Sequence, residues 1–509
     1  MSNDNQLIGL RKQKYKKLLA MNVQVYPNRV ERTMYIKELI DQKDKLIETN
    51  ETVKITGRLK AMRRHGKIGF GNVEDETAGI QIYVRKDVVG DENYEIYKLY
   101  DLGDFVGIEG VAFVTESGEF SIKATKVAIL AKSLRPLPTV KEKIVDGKKV
   151  RYDEFSDIEL RYRKRYLDLL LNPQNKNIFI QRSKIISNFR KILDNDKFLE
   201  VETPILQPLY GGANARPFIT HHNTLNIDLY LRIATELYLK RLIIGGFERV
   251  YEIGKNFRNE GMDKSHNPEF TAIEIYQAYA DYNDMMDLTE KLMSQTAIDV
   301  IGTDLIEFEE KKINLKSPWR RATMIDLVKE HTGFDASDFD YENIKNFCES
   351  KGIEIDPNAG PGKLITEIFE TFVEAKLIQP TFVTDFPKEV SPLAKTKPND
   401  KKIVERFELY INGSEFANAF TELNDPIDQR ERLESQAKLR ELGDLEANVV
   451  DEDFLEAMEY GMPPTGGLGI GIDRFVMLLT KNTSIKEVLL FPQMKPEEIS
   501  VKKKKKKKK

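Results

Sequence analysis

The chain has 509 residues, 40% hydrophobic and 32% charged, which excludes a disordered polypeptide and implies more than one hydrophobic core. It has no run of about 18 apolar residues, and the polar Met1–Gln6 start has no apolar signal segment, so a cytoplasmic protein without a membrane span is expected. One cysteine, Cys348, excludes an intrachain disulfide and a cysteine-based zinc centre, while a hard cation held by carboxylates stays open. The net charge of −3 is uneven. Residues 1–140 hold 23 Lys/Arg against 19 Asp/Glu, and the Lys502–Lys509 run adds eight positive charges, so the stretch between them carries about −15. A basic front and an acidic body suit a polyanion held mainly at one end.

In chain order, residues 7–20 read as a basic amphipathic helix within an N-terminal helical extension over 1–50. Five strand-like runs follow between Val53 and Ala131, separated by Gly and Asp/Glu turns, with a helix predicted over Asp91–Tyr100. Five short strands with an inserted helix suit an OB-fold β-barrel over 51–135, an architecture that binds single-stranded nucleic acid. Phe70 and Gln81 fall on its second and third strands, placed to stack on and hydrogen-bond a splayed base. Residues 136–160, with two prolines and dense charge, read as a linker. The remainder, 161–500, reads as α+β. Asn175–Asp194 has helical apolar spacing, FLEVETPIL from Phe198 reads as a strand, and about 283–380 reads as a helical insertion. Residues 501–509 read as a disordered poly-Lys tail.

Three clusters carry chemistry. In the first, Arg258 and Glu260 end a strand-like run, His266 sits in the turn, and Phe270, Ala272, Glu274 and Tyr276 share one face of the next strand. Arg258 suits bidentate contact with phosphate or carboxylate oxygens, Glu260 suits the exocyclic amine of adenine, and His266 suits a distal phosphate. The opposite face, with Ile273 and Ile275, reads as core. In the second, Gly466–Gly471 reads as a glycine-rich entry to a helix that begins near Arg474, a cation in a first turn that an anionic ligand would favour. In the third, Glu415 and Glu422 suit Mg²⁺ beside a triphosphate. Their odd spacing sends them to opposite faces of a regular strand, so a bend or bulge between them is predicted.

FLEVETPIL, FRNE with HNPEF, and GLGIGIDR occur in the order of the three signature motifs of class II aminoacyl-tRNA synthetases, which they resemble. With the barrel in front, the chain is similar to the subgroup that charges aspartate, asparagine or lysine, and GGANARPFITHHN, LRIATELYLKRLIIGGFERVYEIGKNFRNEG and PPTGGLGIGIDRFVMLL resemble the lysyl-tRNA synthetases. The resemblance implies an antiparallel catalytic sheet flanked by helices and a homodimer built through the first motif. It implies ATP, L-lysine and tRNA(Lys) as substrates and Mg²⁺ as cofactor. It further implies that Arg258 and Arg474 are the catalytic cations, and that Glu260, His266, Phe270, Glu415 and Gly471 bind ATP with them. Gly212, Glu236, Glu274, Tyr276, Asn418 and Glu422 would surround lysine together with Arg258. Glu415 and Glu422 would hold Mg²⁺, and Phe70 and Gln81 would read the anticodon. The acidic set Glu236, Glu274 and Glu422 is also what a buried side-chain ammonium requires, since an unpaired buried cation is costly. A related protein lysyltransferase lacks the barrel, and a non-catalytic RNA-binding derivative would not need the full motif set.

Overall fold

The computed structural model describes residues 3–138, 141–145, 148–152, 155–357, 359–441 and 449–497. The poly-Lys tail expected over 501–509 lies outside the described residues. The chain divides into two compact units, Met1–Ser156 and Asp157–Lys509.

In the first unit, α1 (Asn3–Ala20) leads to a closed barrel of β1 (Thr52–His65), β2 (Ile68–Glu74), β3 (Gly79–Arg85), β4 (Phe105–Val114) and β5 (Phe120–Ala131). Around it the order is β1-β2-β3-β5-β4. α2 (Asp91–Lys98) lies between β3 and β4 in the chain, so β3 and β5 pair in parallel. The barrel closes because the long β1 pairs with both β2 and β4. Strict alternation produces its core: Ile80, Ile82 and Val84 point in, while Gln81 and Tyr83 stay partly exposed. Segment 136–160 is not entirely irregular, for it contains the hairpin β6 (Lys141–Val145) and β7 (Lys148–Tyr152).

The second unit is organised on an eight-stranded sheet. Its strands are β8 (Leu199–Glu200), β9 (Arg249–Phe257), β10 (Glu269–Ala278), β11 (Arg320–Thr323), β12 (Thr381–Thr384), β13 (Arg406–Ile411), β14 (Ser414–Thr421) and β15 (Thr465–Gly471), in the order β11-β12-β13-β14-β15-β10-β9-β8. The pairings are antiparallel except β8 with β9 and β11 with β12, at the two edges. One face packs on α3 (Lys176–Asn195) and α5 (Tyr282–Ile301), with α4 (Glu236–Ile244) between β8 and β9 in the chain. α3 buries Ile185, Phe189, Ile192 and Leu193, spacing that keeps one helical stripe on the core. Burying a ring such as Phe189 contributes about 1.5–3 kcal/mol. Ile275, Leu468, Ala419 and Phe407 are in register across four strands and form one buried row of that core.

The structure departs from the sequence reading in three places. FLEVETPIL is strand at Leu199–Glu200 and again only from its last residue, Leu206, because Pro204 lacks a donor and the Thr203 amide bonds the Glu252 carboxylate (3.0 Å). The segment expected as a helical insertion over about 283–380 also supplies β11 to the sheet, beside α5, α6 (Met324–Thr332), α7 (Tyr341–Lys351) and α8 (Pro361–Phe372), and β12 follows directly after it. The glycine run is not a loop. It is β15, an interior strand between β10 and β14.

Candidate active site

The face of the sheet opposite α3 and α5 forms a cavity of about 460 Å³. Residues directly opposite on neighbouring strands share a face, and one such row crosses the sheet as Glu408, Asn418, Gly469 and Glu274. The next holds Phe420, Gly467 and Tyr276. Phe270, Ala272, Glu274 and Tyr276 all line the cavity, while Ile273 and Ile275 are fully buried on the other face. In β15 the alternation is Gly467, Gly469, Gly471 toward the cavity and Leu468, Ile470 toward the core. Of these glycines Gly467 is needed for space. A Cβ on Gly467 would lie 1.9 Å from Glu422 Oε1 and 2.6 Å from Tyr276 Cε1. Gly467→Ala is therefore expected to destabilise the protein by about 1–3 kcal/mol, because the methyl overpacks the site and displaces a buried carboxylate. Thermal melting would check this, and an unchanged melting temperature would refute it.

One end of the cavity is cationic. Arg258 lies just beyond β9, its amide bonded to the Pro268 carbonyl (2.9 Å) across the turn. Its guanidinium sits 5.1 Å from the Phe270 ring centroid, and its Nε is buried without a hydrogen-bond partner. A buried donor so placed favours an acceptor supplied by a ligand. Arg474 lies in the first turn of α9 (Ile472–Thr480), where it donates to the Glu415 carbonyl and lies 3.3 Å from His266 Nε2. His266 Nδ1 faces Asp263 Oδ2 at 2.8 Å. Burial works against ionisation of the Asp263 carboxyl, but His266 and two backbone amides outweigh it and lower its pKa. Glu260 is exposed at the cavity's edge.

The other end is acidic. Glu236 opens α4 and accepts from Lys240 Nζ (2.5 Å), whose ammonium also reaches Glu422 Oε2 (2.5 Å). Both Lys240 and Glu422 are fully buried. Burial raises the Glu422 carboxyl to about 8, opposed by Lys240 and reinforced by Glu236 and Glu274. Burial likewise raises Glu274, which accepts from the Thr235 amide (3.0 Å). Burial and the three carboxylates push the Tyr276 hydroxyl well above its ordinary range. Lys240 is held charged: burial opposes this, and Glu236 and Glu422 outweigh it. With all groups ionised, three carboxylates face one ammonium. Gly212, with φ +85°, backs this end, since a Cβ there would lie 2.9 Å from Glu236 Cβ.

The bulge predicted between Glu415 and Glu422 exists. Leu409 pairs Ala417 and Tyr410 pairs Glu415, leaving Phe416 as the extra residue, and both glutamates line the cavity. Glu422 is also ion-paired with Lys240 at the acidic end. A carboxyl that Glu415 raises and the motifs do not include is Glu408. It accepts from Tyr410 (2.7 Å), pairs with Arg406, and is raised by burial and by Glu415 although Arg406 opposes this. Its signal in the sequence is the Asn412–Gly413 turn, both residues with positive φ, which folds β13 back on β14 and sets Glu408 opposite Asn418. Among the described residues no group of three or more His, Cys, Asp or Glu could hold a metal ion. Lys240 also lies outside the motifs, and its signal is the i,i+4 spacing from Glu236.

Thirteen residues from the sequence reading line this one cavity: Gly212, Glu236, Arg258, Glu260, His266, Phe270, Glu274, Tyr276, Glu415, Asn418, Glu422, Gly471 and Arg474. Phe70 and Gln81 belong to the barrel. There Phe70 is exposed and packs on Tyr83 (ring centroids 4.9 Å), which packs on Phe113 (5.7 Å), while Gln81 bonds Ser121 (2.9 Å).

The family described as tRNA synthetases class II (D, K and N) matches residues 157–495, and the OB-fold nucleic acid binding domain matches residues 53–130. A protein of Streptococcus sanguinis named lysine–tRNA ligase is 53% identical over 500 residues, covering 97% of this chain and 98% of its own length. Its namesake in Bacillus subtilis is 52% identical over 497 residues, covering 96% and 97%. A cavity with arginines at one end and a surplus of buried carboxylates at the other, on an antiparallel sheet in a chain that also carries an OB-fold barrel, accords with both matches: the chain belongs to the class II lysine–tRNA ligase family.

Proposed function

We infer that the chain attaches L-lysine to tRNA(Lys) at the expense of ATP, through a lysyl-adenylate, with release of pyrophosphate and AMP. The observation that carries this reading is the charge imbalance at the acidic end. Glu236, Glu274 and Glu422 leave a deficit of positive charge after Lys240 is counted, and a free lysine brings two ammonium groups. Aspartate would place a fourth carboxylate there, at prohibitive cost.

In this reading Glu236 with Gly212 takes the α-ammonium, and Glu422, Tyr276 and Glu274 surround the ε-ammonium. Asn418 and Arg258 orient the carboxylate. Phe270 stacks on adenine and Glu260 accepts from its amine, while Arg474, His266 and the close backbone of Gly471 meet the outer phosphates. A lysine carboxylate oxygen attacks the α-phosphorus in line and pyrophosphate leaves. A hydroxyl of the tRNA 3′-terminal ribose then attacks the carbonyl carbon, and AMP leaves. The protein's part is positioning and charge neutralisation, with no nucleophilic side chain. Glu415 and Glu422, which both line the cavity, the latter with carboxylate oxygens that lack a hydrogen-bond partner among the described residues, would hold Mg²⁺, and it would supply charge neutralisation at the phosphates. The decisive experiment is exchange of labelled pyrophosphate into ATP with single amino acids. Lysine-dependent exchange is expected, and exchange with aspartate or asparagine instead would overturn the reading.

The aromatic row Phe70–Tyr83–Phe113 supports anticodon stacking on the barrel, with Gln81 beside it. Phe70→Ala is expected to weaken tRNA binding by about 1–3 kcal/mol, seen as a raised KM for tRNA with pyrophosphate exchange unchanged. An unaltered tRNA KM would remove the barrel from recognition. We also assign a homodimer through Asn175–Pro204, supported by exposed Ile180 and Leu199 and by the edge position of β8, and sedimentation would test it. Cytoplasmic residence follows from the substrates. Among the described residues no helix is long and apolar enough to cross a membrane.

A further inference from the structure

The acidic end contains a charged group that substrate recognition does not use directly. Lys240 is fully buried, lies beneath the cavity rather than on its lining, and joins carboxylates from two elements far apart in the chain: Glu236 on α4 and Glu422 just past β14. An isolated buried ammonium is expensive, so its retention needs partners this close. Glu236 precedes Lys240 by four residues at a helix N-terminus, the favourable orientation for both the pair and the macrodipole. Lys240 takes one oxygen of each carboxylate. For Glu422 the ion pair is made by Oε2 and Oε1 lies over Gly467, in the space that Gly467 keeps open, while both oxygens are buried with no hydrogen-bond partner among the described residues.

We propose that Lys240 is a positioning residue that sets selectivity for a diamino acid. Its ammonium fixes one oxygen of Glu236 and one of Glu422, aims the others at the substrate, and holds the three-carboxylate floor at the charge that two ammonium groups neutralise. The proposal rests on the lysine reading above. Its charge arithmetic has two sides. Without Lys240 the three buried carboxylates would face one another unrelieved, and neither Glu236 nor Glu422 would have an oxygen fixed. With Lys240 in place and all three carboxylates ionised around a bound substrate, a deficit of two charges is left, which two ammonium groups fill and a neutral side chain does not. The groups facing Glu422 are Lys240 and Glu236 from α4 and Glu274 and Tyr276 from β10, while β15 contributes Gly467.

The test uses the full-length protein in pyrophosphate exchange, comparing wild type with Lys240→Gln and Lys240→Arg in the KM for lysine, the KM for ATP and kcat. Lys240→Gln is expected to raise the lysine KM by about 30-fold or more with the ATP KM within roughly twofold. Lys240→Arg, which keeps the charge, should bring the lysine KM most of the way back to wild type. A purely structural role would shift both KM values together or lower kcat alone, and Arg would not rescue it. If Gln at 240 prevents folding, Lys240→Met, which keeps the volume of the stem, takes its place. Equal shifts in the two KM values, no rescue by Lys240→Arg, or a Lys240→Gln protein indistinguishable from wild type, overturns the proposal. Wild-type protein with no lysine-dependent exchange would instead overturn the lysine reading itself.

Discussion

Arg258→Ala is expected to reduce lysine-dependent pyrophosphate exchange by at least about 10²–10³-fold, the loss that follows removal of one preorganised donor from a developing charge. The expectation rests on where the guanidinium is held. It lies against Phe270 at the cationic end of the cavity, and its Nε is buried without a partner. Such a group costs stability in the empty protein, which points to a return when a ligand anion arrives. Thermal stability should therefore change little while exchange collapses. Near-normal exchange in the variant would sink the assignment of this end to the reacting phosphate.

Glu422→Gln should raise the KM for lysine by roughly 30-fold or more, since replacing one partner of a buried ion contact costs about 2–5 kcal/mol, with little change in the KM for ATP. It carries a second, independent signature. The Glu422 carboxyl is raised to about 8 in the folded chain, mainly by burial, from an ordinary value of 4.5. The folded state thus holds a proton that the unfolded state releases above 4.5, so this group's contribution falls as pH rises from 4.5 to about 8. The empty wild-type protein should lose thermal stability across that window relative to Glu422→Gln. Parallel melting profiles, together with an unchanged lysine KM, would remove Glu422 from the acidic end.

Short-range regularities are legible in the amino-acid sequence alone. Alternation along β10 separates Phe270, Glu274 and Tyr276 from Ile273 and Ile275, and the cavity and core take up those two sets. The five barrel runs are likewise written in period-two apolar spacing. The odd spacing of Glu415 and Glu422 announces a bulge, and Phe416 is its extra residue. The same kind of signal is present in β15, where Gly-Leu-Gly-Ile-Gly alternates as a strand does. Glycine's low strand propensity hides it and makes the run read as a loop. The Asn412–Gly413 turn likewise carries the information that Glu408 faces Asn418, but only once the two flanking runs are known to pair.

What the sequence by itself determined is therefore the inventory and local geometry: a barrel, a mostly antiparallel sheet, and the residue types on each face of each strand. These follow from backbone periodicity and turn chemistry, which act over a few residues. Which carboxylate meets which cation was decided only by the tertiary structure. Charge interactions depend on distance and burial, and both are set by strand order and register across the sheet. Glu422 meets Lys240 at the acidic end because β15 lies between β10 and β14 and Gly467 leaves room there.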